Sequence, residues 1–303
     1  GLSLQKFSTH PRFCSLLHYQ LSSGAFQGER SYCLDRLLYA SYYTANQNYL
    51  QNIHIKSKNK LAIGFASAQS SMYVNGRKIE ANELFILPSQ MPWDLLVNRD
   101  SKVVIFAINA SQRLQGQPEL AKALTQLQAH CLEADDIGLI RSLPSLQTMN
   151  AILHLLSSSP AGCAVSKHQL YELLSDLVLS SKMSFQRPRS RSKLFSRTVN
   201  FLQHQPFSCR KVSDIASANH VSQRGLEKAF DDIIGMTPGE FIKALQLNVY
   251  RRHILSQAHE ASRSLAVIAD DIGAINYSRL SKDYKAFFGE LPSETRKRAV
   301  IGP

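Results

Sequence analysis

Residues 212–238 read VSDIASANHVSQRGLEKAFDDIIGMTP, and residues 265–292 read LAVIADDIGAINYSRLSKDYKAFFGELP. Aligned on Ile215-Ala216 and Ile268-Ala269, the two stretches repeat one pattern. Leu226, Phe230, Gly235 and Pro238 fall against Leu280, Tyr284, Gly289 and Pro292, with an offset of 53 before the turn and 54 after it. One residue has been inserted in the second turn. An internal repeat with these fixed spacings predicts a duplicated helix–turn–helix unit, over about 212–232 and 264–287.

In the first copy Val212, Ile215 and Ala216 form the inner stripe of the first helix. Ser222 is placed to N-cap the second, because its hydroxyl can accept an orphan backbone N–H. Leu226, Ala229, Phe230 and Ile233 then face inward, leaving Gln223, Arg224, Glu227 and Lys228 on the outer face. In the second copy Leu265, Ile268, Ala269 and Ile272 pack inward, and Gly273 suits the turn. Ser278 is the expected cap. Leu280, Tyr284, Phe287 and Phe288 pack inward, while Arg279, Lys282, Asp283 and Lys285 face out.

Between the copies, Thr237-Pro238-Gly239-Glu240 reads as a capping box with proline in the first helical position. Phe241, Ile242, Leu245, Val249 and Ile254 continue a long helix, with Arg251 and Arg252 expected to be exposed. A continuous rod of about 18 residues spans about 27 Å. With the bulk of each module added, that suits two helices entering successive major grooves about 34 Å apart. Arg can bond both guanine acceptors, and Gln can pair with adenine. Lys and Ser grip phosphate and set register.

Charge supports the same reading. Net charge is +12 over 303 residues, and residues 186–303 hold 19 basic against 11 acidic side chains. Neutralising phosphates releases counterions, so a basic third of a chain points to a polyanion partner. Gln186-Arg187-Pro188-Arg189-Ser190-Arg191-Ser192-Lys193 reads as a basic linker, with a DNA-binding arm as the alternative. It divides an N-terminal region, 1–185, from a C-terminal one, 194–303.

The N-terminal region reads differently. Leu61–Phe65, Met72–Val74, Glu83–Leu87 and Val103–Ile108 are short β-type runs, and Asn75-Gly76 between two of them is a hairpin signal. Residues 118–182 switch to helical spacing in three segments, 118 onward, 145–156 and 166–182, expected to cover the barrel. The fold class is therefore α+β: a small β-barrel or sandwich with covering helices, then an all-α domain. Trp93, Tyr42, Tyr43 and Phe65 read as core. A metal-binding barrel needs clustered histidines, and His54 stands alone in Asn52-Ile53-His54-Ile55-Lys56, so neither metal nor cofactor is expected. Five cysteines at long spacings, with no CxxC, fit reduced thiols. The first thirty residues show no signal-peptide pattern and no apolar run reaches a membrane span, so a cytoplasmic protein is expected.

The series Ser222-x-Arg224-x-Leu226-x-Lys228-x-Phe230, Gly235-x-Thr237-Pro238, Arg251-Arg252 and Gly289-x-x-Pro292 resembles the AraC-type transcription regulators. The resemblance covers about 105 residues. It implies a seven-helix DNA-binding domain with two helix–turn–helix units, and a cupin-like N-terminal sensor or dimerisation domain. Ala274-Ile275 and Leu280 depart from it, since phenylalanine is usual after the glycine and where Leu280 stands. Gln20-Leu21-x-x-Gly24-x-Phe26-x-Gly28-Glu29 and Leu247-Asn248-x-x-Arg251-Arg252 resemble the ethanolamine-operon regulator subgroup.

The expectation is a non-enzymatic regulator that binds double-stranded promoter DNA. Its expected contacts are Ser222, Gln223, Arg224, Glu227, Lys228, Arg251, Arg252, Ser278, Arg279, Lys282 and Lys285. RNA polymerase, a small-molecule effector and a second copy of the chain are the implied partners. The alternatives are a metal enzyme of the cupin type, or a protein-interaction module, attached to a DNA-binding domain.

Overall fold

The computed structural model describes residues 14–34, 37–55, 60–81, 83–88, 93–109, 114, 116–134, 138–141, 146–158, 166–180, 183–184, 190–208, 211–260 and 262–301. The chain forms two compact units. Among the described residues, one unit holds 14–18, 27–46 and 51–184; the other holds 190–301 together with Tyr19–Phe26 and Gln47–Leu50.

The strands are β1 (Cys14–Gln20), β2 (Gly28–Leu34), β3 (Leu38–Ala45), β4 (Tyr49–Ile55), β5 (Lys60–Ala66), β6 (Met72–Val74), β7 (Arg77–Ile79), β8 (Glu83–Pro88), β9 (Trp93–Val97), β10 (Val103–Asn109), β11 (Gly138–Arg141) and β12 (Met183–Ser184); all belong to the first unit except Tyr19–Gln20 of β1 and Tyr49–Leu50 of β4. They form a five-stranded sheet ordered β1-β4-β9-β6-β7 and a seven-stranded sheet ordered β12-β11-β8-β5-β10-β3-β2. The expected barrel or sandwich is thus present as two sheets, antiparallel in the β2–β3, β3–β10, β10–β5, β5–β8 and β6–β9 pairings. Asn75 and Gly76 take φ of 47° and 72° at the tip of the β6–β7 hairpin, so both turn residues sit in the left-handed region, as a two-residue hairpin requires.

Helices α1 (Pro118–Ala134), α2 (Leu146–Ser157) and α3 (Lys167–Leu179) cover the larger sheet. Leu120, Leu124, Ile152, Leu156, Leu170 and Leu174 meet Tyr42, Phe65, Ile86 and Phe106 in one core. Tyr43, Ala62, Val103 and Leu87, on the opposite side of those strands, are buried as well. This two-sided burial explains why the central strands read as apolar runs rather than alternating ones. Trp93, Tyr42, Tyr43 and Phe65 are core as expected, and His54 is exposed.

The second unit carries seven helices among the described residues: α4 (Ser190–His204), α5 (Val212–Ala218), α6 (Gln223–Ile234), α7 (Pro238–Ser256), α8 (Leu265–Asp271), α9 (Tyr277–Phe288) and α10 (Pro292–Ile301). Ser190–Lys193, read as linker, is instead the first turn of α4, with Ser192 already buried; residues 186–189 of that reading lie outside the described residues. Arg and Lys are good helix formers, and Phe195, Val199 and Leu202 supply a stripe strong enough to carry helix back to Ser190. Two cores flank α7. Phe195, Phe230 and Phe241 meet with ring centroids 4.9–6.3 Å apart. On the other side Leu247, Tyr250 and Ile254 pack with Ile268, Tyr284 and Phe288.

Candidate nucleic-acid interface

The duplication is visible helix by helix. α5 and α8 each run 7 residues, and α6 and α9 each run 12. Each first helix closes the same way. Val221 N–H donates to the Ala216 carbonyl and Ala274 N–H to the Ala269 carbonyl, both at 3.0 Å. The left-handed residue of the turn is His220 in one copy and Gly273 in the other, with φ of 55° and 85°. α6 and α9 both end on a left-handed glycine, Gly235 and Gly289.

Ser222 caps α6, its Oγ accepting from Gly225 N–H at 3.1 Å. The cap of α9 is Asn276 and not Ser278: Asn276 Oδ1 accepts from Arg279 N–H at 2.9 Å, and Ser278 is an exposed residue of the first turn. Asn caps as well as Ser, and the offset of 54 carries Ser222 onto Asn276. The capping box of α7 forms, with Thr237 N–H donating to Glu240 Oε2 at 2.7 Å. Those hydrogen bonds, the backbone one first, hold the Glu240 carboxyl below its usual range.

On α6, Leu226, Ala229, Phe230 and Ile233 are buried, while Gln223, Arg224, Glu227 and Lys228 are exposed on the outer face. Gln223 Nε2 donates to Glu227 Oε1 at 2.8 Å, and Arg224 and Lys228 take part in no ion pair among the described residues. On α9, Tyr284 and Phe288 are buried, while Ser278, Arg279, Lys282 and Lys285 are exposed. Each second helix therefore presents a polar, cation-bearing face on an apolar base.

Arg251 and Arg252 are not on that surface. The Arg251 side chain is 16% exposed; its guanidinium lies 4.5 Å from the centre of the Phe288 ring and 2.9 Å from Glu290 Oε1. Arg252 is half-buried, with its guanidinium 4.6 Å from the centre of the Tyr19 ring. α10 returns along α7, and residues 19–26 join the same unit, so the side of α7 expected to meet solvent is covered. One cation missing from the expected set is Lys243, exposed near the start of α7 and 2.8 Å from Asp283 Oδ1. It belongs to neither repeat, so the repeat arithmetic could not find it.

A helix-turn-helix domain family model matches residues 215–298. XylDLEGF operon transcriptional activator 2 of Pseudomonas putida is 30% identical over 117 residues, which make up 39% of this chain and 74% of that protein. The chain belongs to the AraC-type family of helix-turn-helix regulators. The stretch matched in XylDLEGF operon transcriptional activator 3, also of P. putida, is 31% identical but spans only 36% of that relative's length. The Msm operon regulatory protein of Streptococcus mutans is similar over more of the chain, 23% identical across 84% of this chain and 86% of that protein. A crystal structure of an AraC-type DNA-binding domain protein from Chromobacterium violaceum aligns at a TM-score of 0.33 and 24% identity, covering 36% of this chain and 95% of that one.

This AraC-type unit contains one more built feature. Asn248 on α7 grips the main chain of Gln20 from both sides: Gln20 N–H donates to Asn248 Oδ1 at 2.9 Å, and Asn248 Nδ2 donates to the Gln20 carbonyl at 2.8 Å. Gly24 N–H donates to the Phe287 carbonyl at 2.8 Å. Gln20 Nε2 ties the Ser22 and Gly24 carbonyls at 2.7 Å each, so the loop arrives pre-shaped. Gln20 and Asn248, 228 positions apart in the chain, thus meet in space. Among the described residues, no group of three or more His, Cys, Asp or Glu side chains is placed to hold a metal, and no helix is long and apolar enough to cross a membrane.

Proposed function

We propose that this protein regulates transcription by binding double-stranded promoter DNA with α6 and α9 in successive major grooves. One observation carries the reading: two helix–turn–helix modules with helices of equal length, each capped at both ends of its second helix, pack on one continuous 19-residue helix. At 1.5 Å per residue that helix is about 28 Å long, of the same order as a groove repeat of about 34 Å.

In this reading Arg224 and Gln223 reach base edges from α6, with Lys228 on phosphate. Arg279 reads bases from α9, with Lys282, Lys285 and Ser278 on the backbone. Glu227 orients Gln223 rather than meeting DNA itself. Arg251 and Arg252 drop out of the contact set. A small-molecule effector acting through the N-terminal unit, RNA polymerase and a second copy of the chain complete the proposal, in a cytoplasmic protein that is nucleoid-bound when active. Family membership supports these partners, and resemblance to the ethanolamine-operon subgroup supports a small inducer.

The test is fluorescence anisotropy of the full chain on duplexes tiled across its own upstream region, against a random duplex, over a salt series. Sequence preference with a steep loss of affinity in salt is expected. Equal affinity for promoter and random duplexes at every salt concentration would refute it.

A further inference from the structure

The two modules carry similar cationic faces but dispose of their acids differently. In the first, Glu227 hydrogen-bonds Gln223 and leaves Arg224 and Lys228 without an ion pair among the described residues. In the second, Asp283 sits 29% exposed between two cations, Oδ1 being 2.8 Å from Lys243 Nζ and Oδ2 3.9 Å from Arg279 Nε. The residue 54 positions earlier is Ala229, fully buried, so nothing in the first module matches it.

Asp283, Lys243 and Arg279, with Asn276 and Gln246, line one groove of about 420 Å³ beside the start of α9. Both cations are open to solvent, 51% and 83% exposed, so neither ion pair is locked by burial. A carboxylate there opposes an approaching phosphate twice over. It repels the phosphate directly, and it occupies the amine and guanidinium that would otherwise neutralise it.

Resting on the DNA-binding reading above, we infer that Asp283 restrains the second module: it holds Lys243 back from phosphate and faces Arg279, so the sequence-independent grip of α9 rests on Lys282, Lys285 and Ser278 alone. Affinity that does not depend on sequence is thereby lowered at α9 by about one phosphate contact, which raises the share of its binding that discriminates.

The test compares the full-length wild type with Asp283→Asn, which keeps shape and removes charge, and with Asp283→Asn/Lys243→Gln. Binding is measured on an upstream duplex and a random duplex over a salt series. Lys243 is also followed without DNA, by its rate of acylation with an N-hydroxysuccinimide ester read by peptide mass spectrometry. Asp283→Asn is expected to acylate faster at Lys243 and to bind both duplexes more tightly, by about eightfold at 0.1 M salt for one added phosphate contact, with a log–log salt slope steeper by about 0.9. The Lys243→Gln change should cancel that gain. An unchanged or shallower slope with unchanged affinity overturns the inference, whether or not the acylation rate moves, as does weaker binding to both duplexes by a variant with wild-type thermal stability. Absence of sequence preference in the wild type sinks the promoter reading instead, and the random-duplex slopes still decide the role of Asp283.

Discussion

Replacing Arg251 separates two opposed accounts of one residue. A doublet of arginines on a linker helix looks like a pair of phosphate contacts, and removing one would then weaken DNA binding and leave the fold intact. The structure gives Arg251 a different task. Its guanidinium stacks 4.5 Å from the centre of Phe288 and 6.0 Å from that of Tyr284, and it pairs with Glu290 at 2.9 Å, with both members of that pair 16% exposed. A partly desolvated cation–π contact contributes about 1 kcal/mol or more. Glu290 retains Arg298, whose side chain is 62% exposed, so the lost ion pair adds only a fraction of a kcal/mol more. Arg251→Ala should therefore destabilise the second unit by about 2 kcal/mol, lowering its melting temperature by roughly 8 °C for a body of this size. Arg251→Lys should recover less than half, because an ammonium keeps the charge but not the planar stack. Thermal melts of the full chain followed by circular dichroism give the first number, and salt-dependent anisotropy of the folded protein gives the second. A salt slope that falls by about one with no change in melting temperature would show that Arg251 meets phosphate and that the packing argument is wrong.

Other substitutions test neighbouring claims. Arg224→Ala should lose roughly 1–3 kcal/mol of discrimination at one base position, while Lys228→Ala should weaken all sequences alike and flatten the salt slope by about one, both read on a panel of single-base variants of the bound duplex. Asn276→Ala should cost about 1 kcal/mol of stability and Ser278→Ala less than half of that in denaturant titrations; the reverse order would return the cap to Ser278. Burial, followed by the neighbouring Arg252, holds the His253 imidazole below its usual range. The unfolded chain then binds that proton more readily, so stability of the second unit is full above the usual imidazole pKa of about 6.5 and falls as pH drops below it. His253→Gln should flatten that part of the pH–stability curve, and an unchanged curve would assign the dependence elsewhere.

The repeat was readable because its signals are local. Buried residues at spacings of three and four, glycine after the last turn and a capping box before α7 act within a dozen residues, and each recurs in the fold. The central strands were readable for a similar reason: a run such as Val103–Ile108 is apolar because helices cover one side of its sheet and other side chains fill the opposite side. Sequence pattern misleads where the deciding partner is distant along the chain. Arg251 and Arg252 look exposed on a helical wheel, which contains neither Glu290 nor Tyr19. Lys243 gains meaning only from Asp283, 40 residues on. Asn276 is a different case: the offset of 54 carries Ser222 onto it, but Ser278 two residues on is a capping type as well, and only the turn geometry separates them.

The grip of Asn248 on Gln20 closes a loop of 228 residues. The body that bears both helix–turn–helix modules is consequently discontinuous along the chain, and a fragment starting at Arg189 would leave the Asn248 carboxamide and the Phe287 carbonyl without the partners that Gln20 and Gly24 supply. Closure over so long a span carries a chain-entropy cost that grows only slowly with its length, and the buried hydrogen bonds between Asn248 and Gln20, with the one between Phe287 and Gly24, offset it. Affinities measured on such a truncated piece describe a different object from the intact regulator.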